Sequence, residues 1–237
     1  MSGYKNFFRF VIPSVLAFAL SGVYTIVDGF FIGQSLGDIG LAAIVLAYPI
    51  AAVIQALGTG IGLSGAIRFT IMKAKGDEAK QQECFGGTTL FMALLSGLIT
   101  AILLVFLYPL LELMGAEGEI LSLTTQYVRV IALGTVCQLL ATGFVPFIRN
   151  MGGATFAMAA MIAGFVANIV LDYVFVWIFD WGMAGAALAT VIGQAVTMLA
   201  AVIFFFGKKA GFHLPAVSAM PALFGGLCKV AVAPFGL

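Results

Sequence analysis

Apolar residues fill this chain in six long runs, and polar residues gather in the short stretches between them. The runs lie at roughly 10–34, 42–67, 86–108, 128–147, 154–179 and 184–206. Each is long enough to cross about 30 Å of hydrocarbon at about 1.5 Å per residue of helix. A transmembrane β-strand would alternate apolar and polar positions; these runs are continuous, so the pattern predicts membrane-spanning helices. The first run is longer than the apolar core of a signal peptide, and no small-residue cleavage site follows it. Helix 1 is therefore expected to stay in the mature protein.

Composition strengthens this picture. The chain is 62% hydrophobic and 9% charged, with a mean hydropathy of +1.15, too few polar groups to cover a soluble surface. The expected class is an all-α integral membrane protein. Charge then orients it. Lys5, Arg9, Arg68, Lys73, Lys75, Lys80, Arg149, Lys208 and Lys209 fall on one side of the predicted spans. Asp38, Glu112, Glu117, Glu119 and Asp180 fall on the other, with Arg129 as the single basic exception. Lys and Arg in short loops mark the cytoplasmic side, so the N-terminus and the tail after helix 6 are expected inside, at the cytoplasmic (plasma) membrane. Basic residues spread along one membrane face, in a chain of formal net charge +1, do not make a nucleic-acid groove. Residues 73–83 carry mixed charges over helix-forming residues, which predicts a short surface helix joining helices 2 and 3.

Four polar residues stand where they are most costly. Asp28 lies in the first run, Asn168 and Asp172 in the fifth, and Thr190 in the sixth. A carboxylate among lipid tails costs about 3 kcal/mol on insertion scales, so it implies a partner, a watery cavity or a function. Counted from the predicted span ends, Asp28, Asp172 and Thr190 all sit ~9–10 Å below the outer surface. Asn168 is one turn deeper, on the face of Asp172. Their oxygens form a shell that suits a hard cation such as Na⁺. Alternatively, two adjacent carboxylates cannot both stay ionised cheaply, so one would hold and carry H⁺. A structural alternative has Asn168 and Thr190 bonding neighbouring helices while the two aspartates cap broken segments.

Other features are read as packing. Pro13, Pro49 and Pro146 are positioned to kink spans. Gly58, Gly60, Gly62 and Gly65, and then Gly182, Gly185, Ala186, Ala189 and Gly193, form small faces for close helix approach. Cys84, Cys137 and Cys228 are far apart and form no metal set. His213, the sole histidine, falls in a loop. An enzyme is not expected. Gly62-Leu63-Ser64-Gly65 matches the pattern of a rhomboid intramembrane protease, but a serine nucleophile needs a base in reach, and His213 lies beyond the sixth span.

Three segments carry a family resemblance. Val27-Asp28-Gly29-Phe30-Phe31-Ile32-Gly33-Gln34-Ser35-Leu36-Gly37, followed by Leu41-Ala42-Ala43, resembles helix 1 of multidrug and toxic compound extrusion (MATE) transporters. Ile148-Arg149-Asn150-Met151-Gly152, then Ala157-Met158, then Asn168-Ile169-Val170-Leu171-Asp172-Tyr173 is a second match, and residues 182–190 are a third. The resemblance implies the six-transmembrane-helix N-terminal lobe of a MATE-like transporter of the MOP superfamily. It implies that Asp28, Asn168, Asp172 and Thr190 form the lobe's cation site, holding Na⁺ if the protein is sodium-coupled. It further implies an antiporter that exports drugs or organic cations against Na⁺ or H⁺, without saying which ion. Substrate-cavity residues have no readable motif. The alternative is a lipid-linked saccharide flippase of the same superfamily. Such proteins tend to line their cavity with basic residues, and helices 1 to 6 hold almost no interior Lys or Arg.

Residues 1–206 are thus expected to form one lobe. Residues 207–237 are expected to be an inter-lobe connector and the truncated start of a seventh helix, since residues 227–235 echo residues 8–13 in placing a basic residue shortly before a proline. A single lobe of a two-lobe carrier needs a second lobe, or a second copy, as partner.

Overall fold

The computed structural model describes residues 2–208, 211–215 and 220–232, with side chains described for all of these except 2–14, 17, 18, 21 and 228–232. The Lys5, Arg9, Pro13 and Cys228 side chains, Lys209 and Pro234 lie outside the described residues. The described chain is helical: α1 Ser2–Ala74, α2 Glu78–Leu113, α3 Gly118–Leu133, α4 Thr135–Asn150, α5 Ala154–Asp172, α6 Gly182–Gly207 and α7 Met220–Val232. A π-helical segment, Tyr173–Ile178, extends α5.

The first two apolar runs are the two arms of α1, which breaks at Gly37 (φ 63°, ψ −156°). That conformation is open to glycine and strained for a residue with a Cβ. Side chains of both arms line one cavity, so the arms fold back on each other there. Four helices are long and apolar enough to cross a membrane, and the bent pair α3–α4 makes a fifth. With α1 divided at Gly37, six segments cross, and the protein is a multi-pass membrane protein. Its outer faces agree: Val45, Val105, Ile203 and Phe206 are exposed, which suits lipid and would be costly in water.

Two expectations need correction. The segment 73–83 is not a separate surface helix. α1 runs to Ala74, Gly76 (φ 73°) stops it, and Asp77 starts α2 by accepting a bond from the Lys80 amide at 3.1 Å. A left-handed glycine followed by an aspartate cap is a stop and a start back to back. The fourth span is not one straight helix over 128–147 either. It begins at Gly118 and bends by 58° between α3 and α4. The break is at Gly134, where a Cβ would collide with the Val191 side chain of α6. Pro109 and Pro146, by contrast, lie inside helices that continue past them.

Glycines set the close approaches. Gly62 faces the backbone of Gly143, and the Cβ of an alanine at Gly164 would lie 2.6 Å from the Gly193 carbonyl oxygen. These contacts seat α1 on α4 and α5 on α6. Beyond α6, His213 is exposed, and its backbone carbonyl lies against Gly86 at the start of α2. Helix α7 packs back on α1 and α2, with Phe224 stacked on Phe91 at 4.6 Å.

Candidate functional site

The first arm of α1 carries Asp28 into the bundle, and aromatic side chains one turn either side hold it there. Tyr24 stacks on Phe165 of α5 with ring centroids 4.8 Å apart. Phe31 meets Tyr173 and Trp177 of the π segment at 6.3 and 6.2 Å. Between these contacts, the Asp28 and Asp172 carboxyls come within hydrogen-bonding reach of each other. Asp172 is the last residue of α5, at the junction with the π segment, and is fully buried. A π segment widens the helix by one residue per turn and often marks a functional site.

Asn168 lies one turn earlier on α5 and is also buried. Its Nδ2 donates to Thr190 Oγ1 of α6 at 3.4 Å. Tyr127 of α3 stands beside the group, in the same cavity wall as Asp28 and Thr190. All four residues singled out from the sequence are thus brought together. The capping alternative does not hold for the aspartates: Asp28 is inside an arm, and Asp172 makes no side-chain cap bond. The bridging half of that alternative does describe Asn168 and Thr190.

The telling feature is what these groups lack. Asp28 Oδ1, Asn168 Oδ1 and both Asp172 carboxylate oxygens are buried without a hydrogen-bond partner. Buried polar atoms are satisfied in the great majority of cases, and an unpaired buried carboxylate is the costliest exception. Neither aspartate has an ion-pair partner among the described residues, where Lys80–Asp77 is the salt bridge present. Such a set of acceptors is short of positive charge, and a proton or an oxygen-seeking cation would supply it. No third acidic, His or Cys side chain joins the pair among the described residues, so the remaining oxygens would come from an amide and hydroxyls.

The site opens onto a cavity of about 260 Å³ between both arms of α1, α3, α4 and α6. Asp28, Thr190, Tyr24, Tyr48 and Tyr127 line it, together with Gln55, Gln138 and Gln194. None of its described lining residues is Lys or Arg, which removes support from the flippase alternative. The three glutamines and Tyr127 were not singled out in the sequence. The signal for the glutamines was present, since each interrupts an apolar run as Asp28 does. Tyr127 fell one residue outside the predicted span. A void of about 10 Å³ beside Asn168 and Thr190 has room for about one water.

Ser64 is buried, and its Oγ has no hydrogen-bond partner among the described residues. Cys84 and Cys137 are free thiols.

Residues 13–174 match the MatE family model. The multidrug export protein MepA of Staphylococcus saprophyticus is 32% identical over 210 residues, covering 88% of this chain and 46% of MepA. A crystal structure of MATE in the bent conformation superposes with a TM-score of 0.85 at 26% identity, covering 96% of this chain and 52% of that one. A MOP superfamily transporter from Pyrococcus furiosus superposes with a TM-score of 0.84 at 26% identity, covering 94% of this chain and 50% of that one. The chain spans about half the length of the curated relatives it matches.

Proposed function

The chain belongs to the MatE family, and from that premise we propose that it is the N-terminal six-helix lobe of a secondary antiporter. That antiporter exports drugs or organic cations in exchange for Na⁺ or H⁺. The observation that carries this reading is the cluster of unpartnered buried oxygens on Asp28, Asn168 and Asp172, beside Thr190 and next to an open cavity. A site short of positive charge has a large differential affinity for a cation, and an ion can drive a conformational change only through such a difference. The coupling ion is cargo in this scheme. It enters at Asp28, Asn168, Asp172 and Thr190 and favours the conformation that releases drug. Tyr24, Tyr48 and Tyr127 then offer the drug aromatic faces, which attract organic cations.

The partner is a second lobe, or a second copy of this chain, because carriers of this plan enclose their cavity between two lobes that rock against each other. The setting is the cytoplasmic membrane, with the N-terminus and the segment after α6 inside. Cysteines introduced at Lys75 and Lys208 should resist a membrane-impermeant thiol reagent in intact cells, and one at Glu117 should react. The reverse pattern would overturn this orientation. Transport itself is tested in liposomes carrying the chain with a complementary lobe, by following a fluorescent cationic dye under separately imposed Na⁺ and H⁺ gradients. Dye movement driven by one gradient is expected; movement indifferent to both would refute antiport.

A further inference from the structure

At the 58° bend between α3 and α4, a side chain from another helix bonds a backbone carbonyl beside the break. Gly134 divides the two helices: its amide bonds to the Val130 carbonyl, and its carbonyl accepts from the Gln138 amide. The Ile131 and Ala132 carbonyls lie at this break, and each accepts from a threonine hydroxyl. In a membrane, freed carbonyls must find donors within the protein, often Ser or Thr hydroxyls. Thr135 Oγ1 donates to the Ile131 carbonyl at 3.2 Å. Thr100 Oγ1, reaching across from α2, donates to the Ala132 carbonyl at 2.6 Å. The Val191 side chain fills the notch that Gly134 leaves open.

The bend decides where the site's second wall stands. Two bonds pin this span to the second arm of α1: Thr124 Oγ1 to the Ala43 carbonyl at 3.3 Å, and Gln138 Nε2 to the Ala51 carbonyl at 3.2 Å. From Ala43 to Ala51 is roughly 12 Å of helix, while Thr124 to Gln138 would cover roughly 21 Å if straight. Bent by 58° at Gly134, the same stretch projects onto roughly 14 Å along α4. Tyr127 and Ile131 line the cavity from the α3 side of the bend and Gln138 from the α4 side.

We propose that Thr100 is a positioning residue for the cation site: by donating to the Ala132 carbonyl beside Gly134, it fixes the α3–α4 angle and so places Tyr127 in the cavity wall it shares with Thr190. Thr100 touches neither cavity nor cation cluster, and it acts through the backbone of α3. The positioning half of this inference rests on the cation-site reading above.

The test uses the full chain in lipid nanodiscs with Thr100→Val, which keeps the shape and removes the donor, and Thr100→Ser, which keeps the donor. Thr100→Ala reports the same loss should Thr100→Val fail to accumulate. Amide hydrogen exchange over residues 128–140 reads the bend. The Na⁺ and pH dependence of Tm reads the site without requiring a second lobe. Thr100→Val should speed exchange there about fivefold, as expected for one lost hydrogen bond, and shift the ion concentration at the midpoint of the Tm response several-fold. Thr100→Ser should restore both. Unchanged exchange in Thr100→Val would show that Thr100 does not hold the bend. Faster exchange with an unmoved ion midpoint would show that the bend does not position the site. A wild-type Tm insensitive to both ions would contradict the cation site and the positioning half of the inference, while the exchange rates still decide what Thr100 holds.

Discussion

Along the seam between α1 and α4, polar side chains find partners: buried Gln138 donates to the Ala51 carbonyl, half-buried Thr142 to Gln138 and exposed Asn150 to Ala66, at 3.2, 2.8 and 3.1 Å. Where the first arm of α1 meets α5 and α6, the polar groups are more deeply buried, and four carboxyl and amide oxygens have none. The backbone packing is similar, since both seams rest on glycine contacts. The polar chemistry is opposite. One region uses polar groups to bind helices together, and the other leaves buried acceptors without a donor. Ser64 is the exception in the first seam, with a buried Oγ and no partner, but a neutral hydroxyl costs far less to bury than a carboxylate.

Breaking the second region should have the largest effect. Asp28→Asn and Asp172→Asn are each expected to reduce gradient-driven dye export by the paired lobes to background, with membrane expression near wild type, while Ser64→Ala changes little. Full export by either aspartate variant would make that region structural as well. Breaking the first region should act on stability instead. Gly62→Ala drives a methyl into the Gly143 backbone and should cost about 1–3 kcal/mol, read as a lower Tm. A milder cut there is Asn150→Ala, which removes one bond and should cost about 0.5–1.5 kcal/mol without altering the ion dependence of export.

The buried polar cluster was legible in the sequence because its signal is energetic: Asp28, Asn168, Asp172 and Thr190 interrupt apolar runs, and the cost of placing them there is large. Gln55, Gln138 and Gln194 send the same signal more weakly, and they proved to line the cavity. The bend at Gly134 left no such trace. Glycine within an apolar span is ordinary, and what makes this one a break is Val191 on a helix far along the chain, a contact that no local pattern encodes. Pro109 and Pro146 show the converse, since strong local breakers sit inside continuing helices. The junction at residues 73–83 misled because its helix-forming residues belong to two helices, divided by Gly76 and Asp77.

The smallest expected effect lies outside both seams. The Lys80 side chain and amide beside Asp77 hold its carboxyl below the usual carboxylate range. The folded value being the lower one, the cap's contribution is present above the ordinary carboxylate range and fades as pH falls through the folded value. Asp77→Asn should therefore flatten a shallow loss of Tm at acid pH, measured by thermal melts across pH, and leave the Na⁺ response untouched.

Whether the unpartnered oxygens form an ion site is read most directly on the carboxyls themselves. Infrared difference spectra of the purified chain, taken on switching from Na⁺-free to Na⁺ buffer and on lowering the pH, report carboxyl protonation and cation contact without a second lobe. A carboxyl band that responds to one of these changes, is diminished in Asp28→Asn and Asp172→Asn, and is absent when both are replaced is the expected result. Carboxyl bands in the wild-type chain that respond to neither Na⁺ nor protons would contradict the cation site.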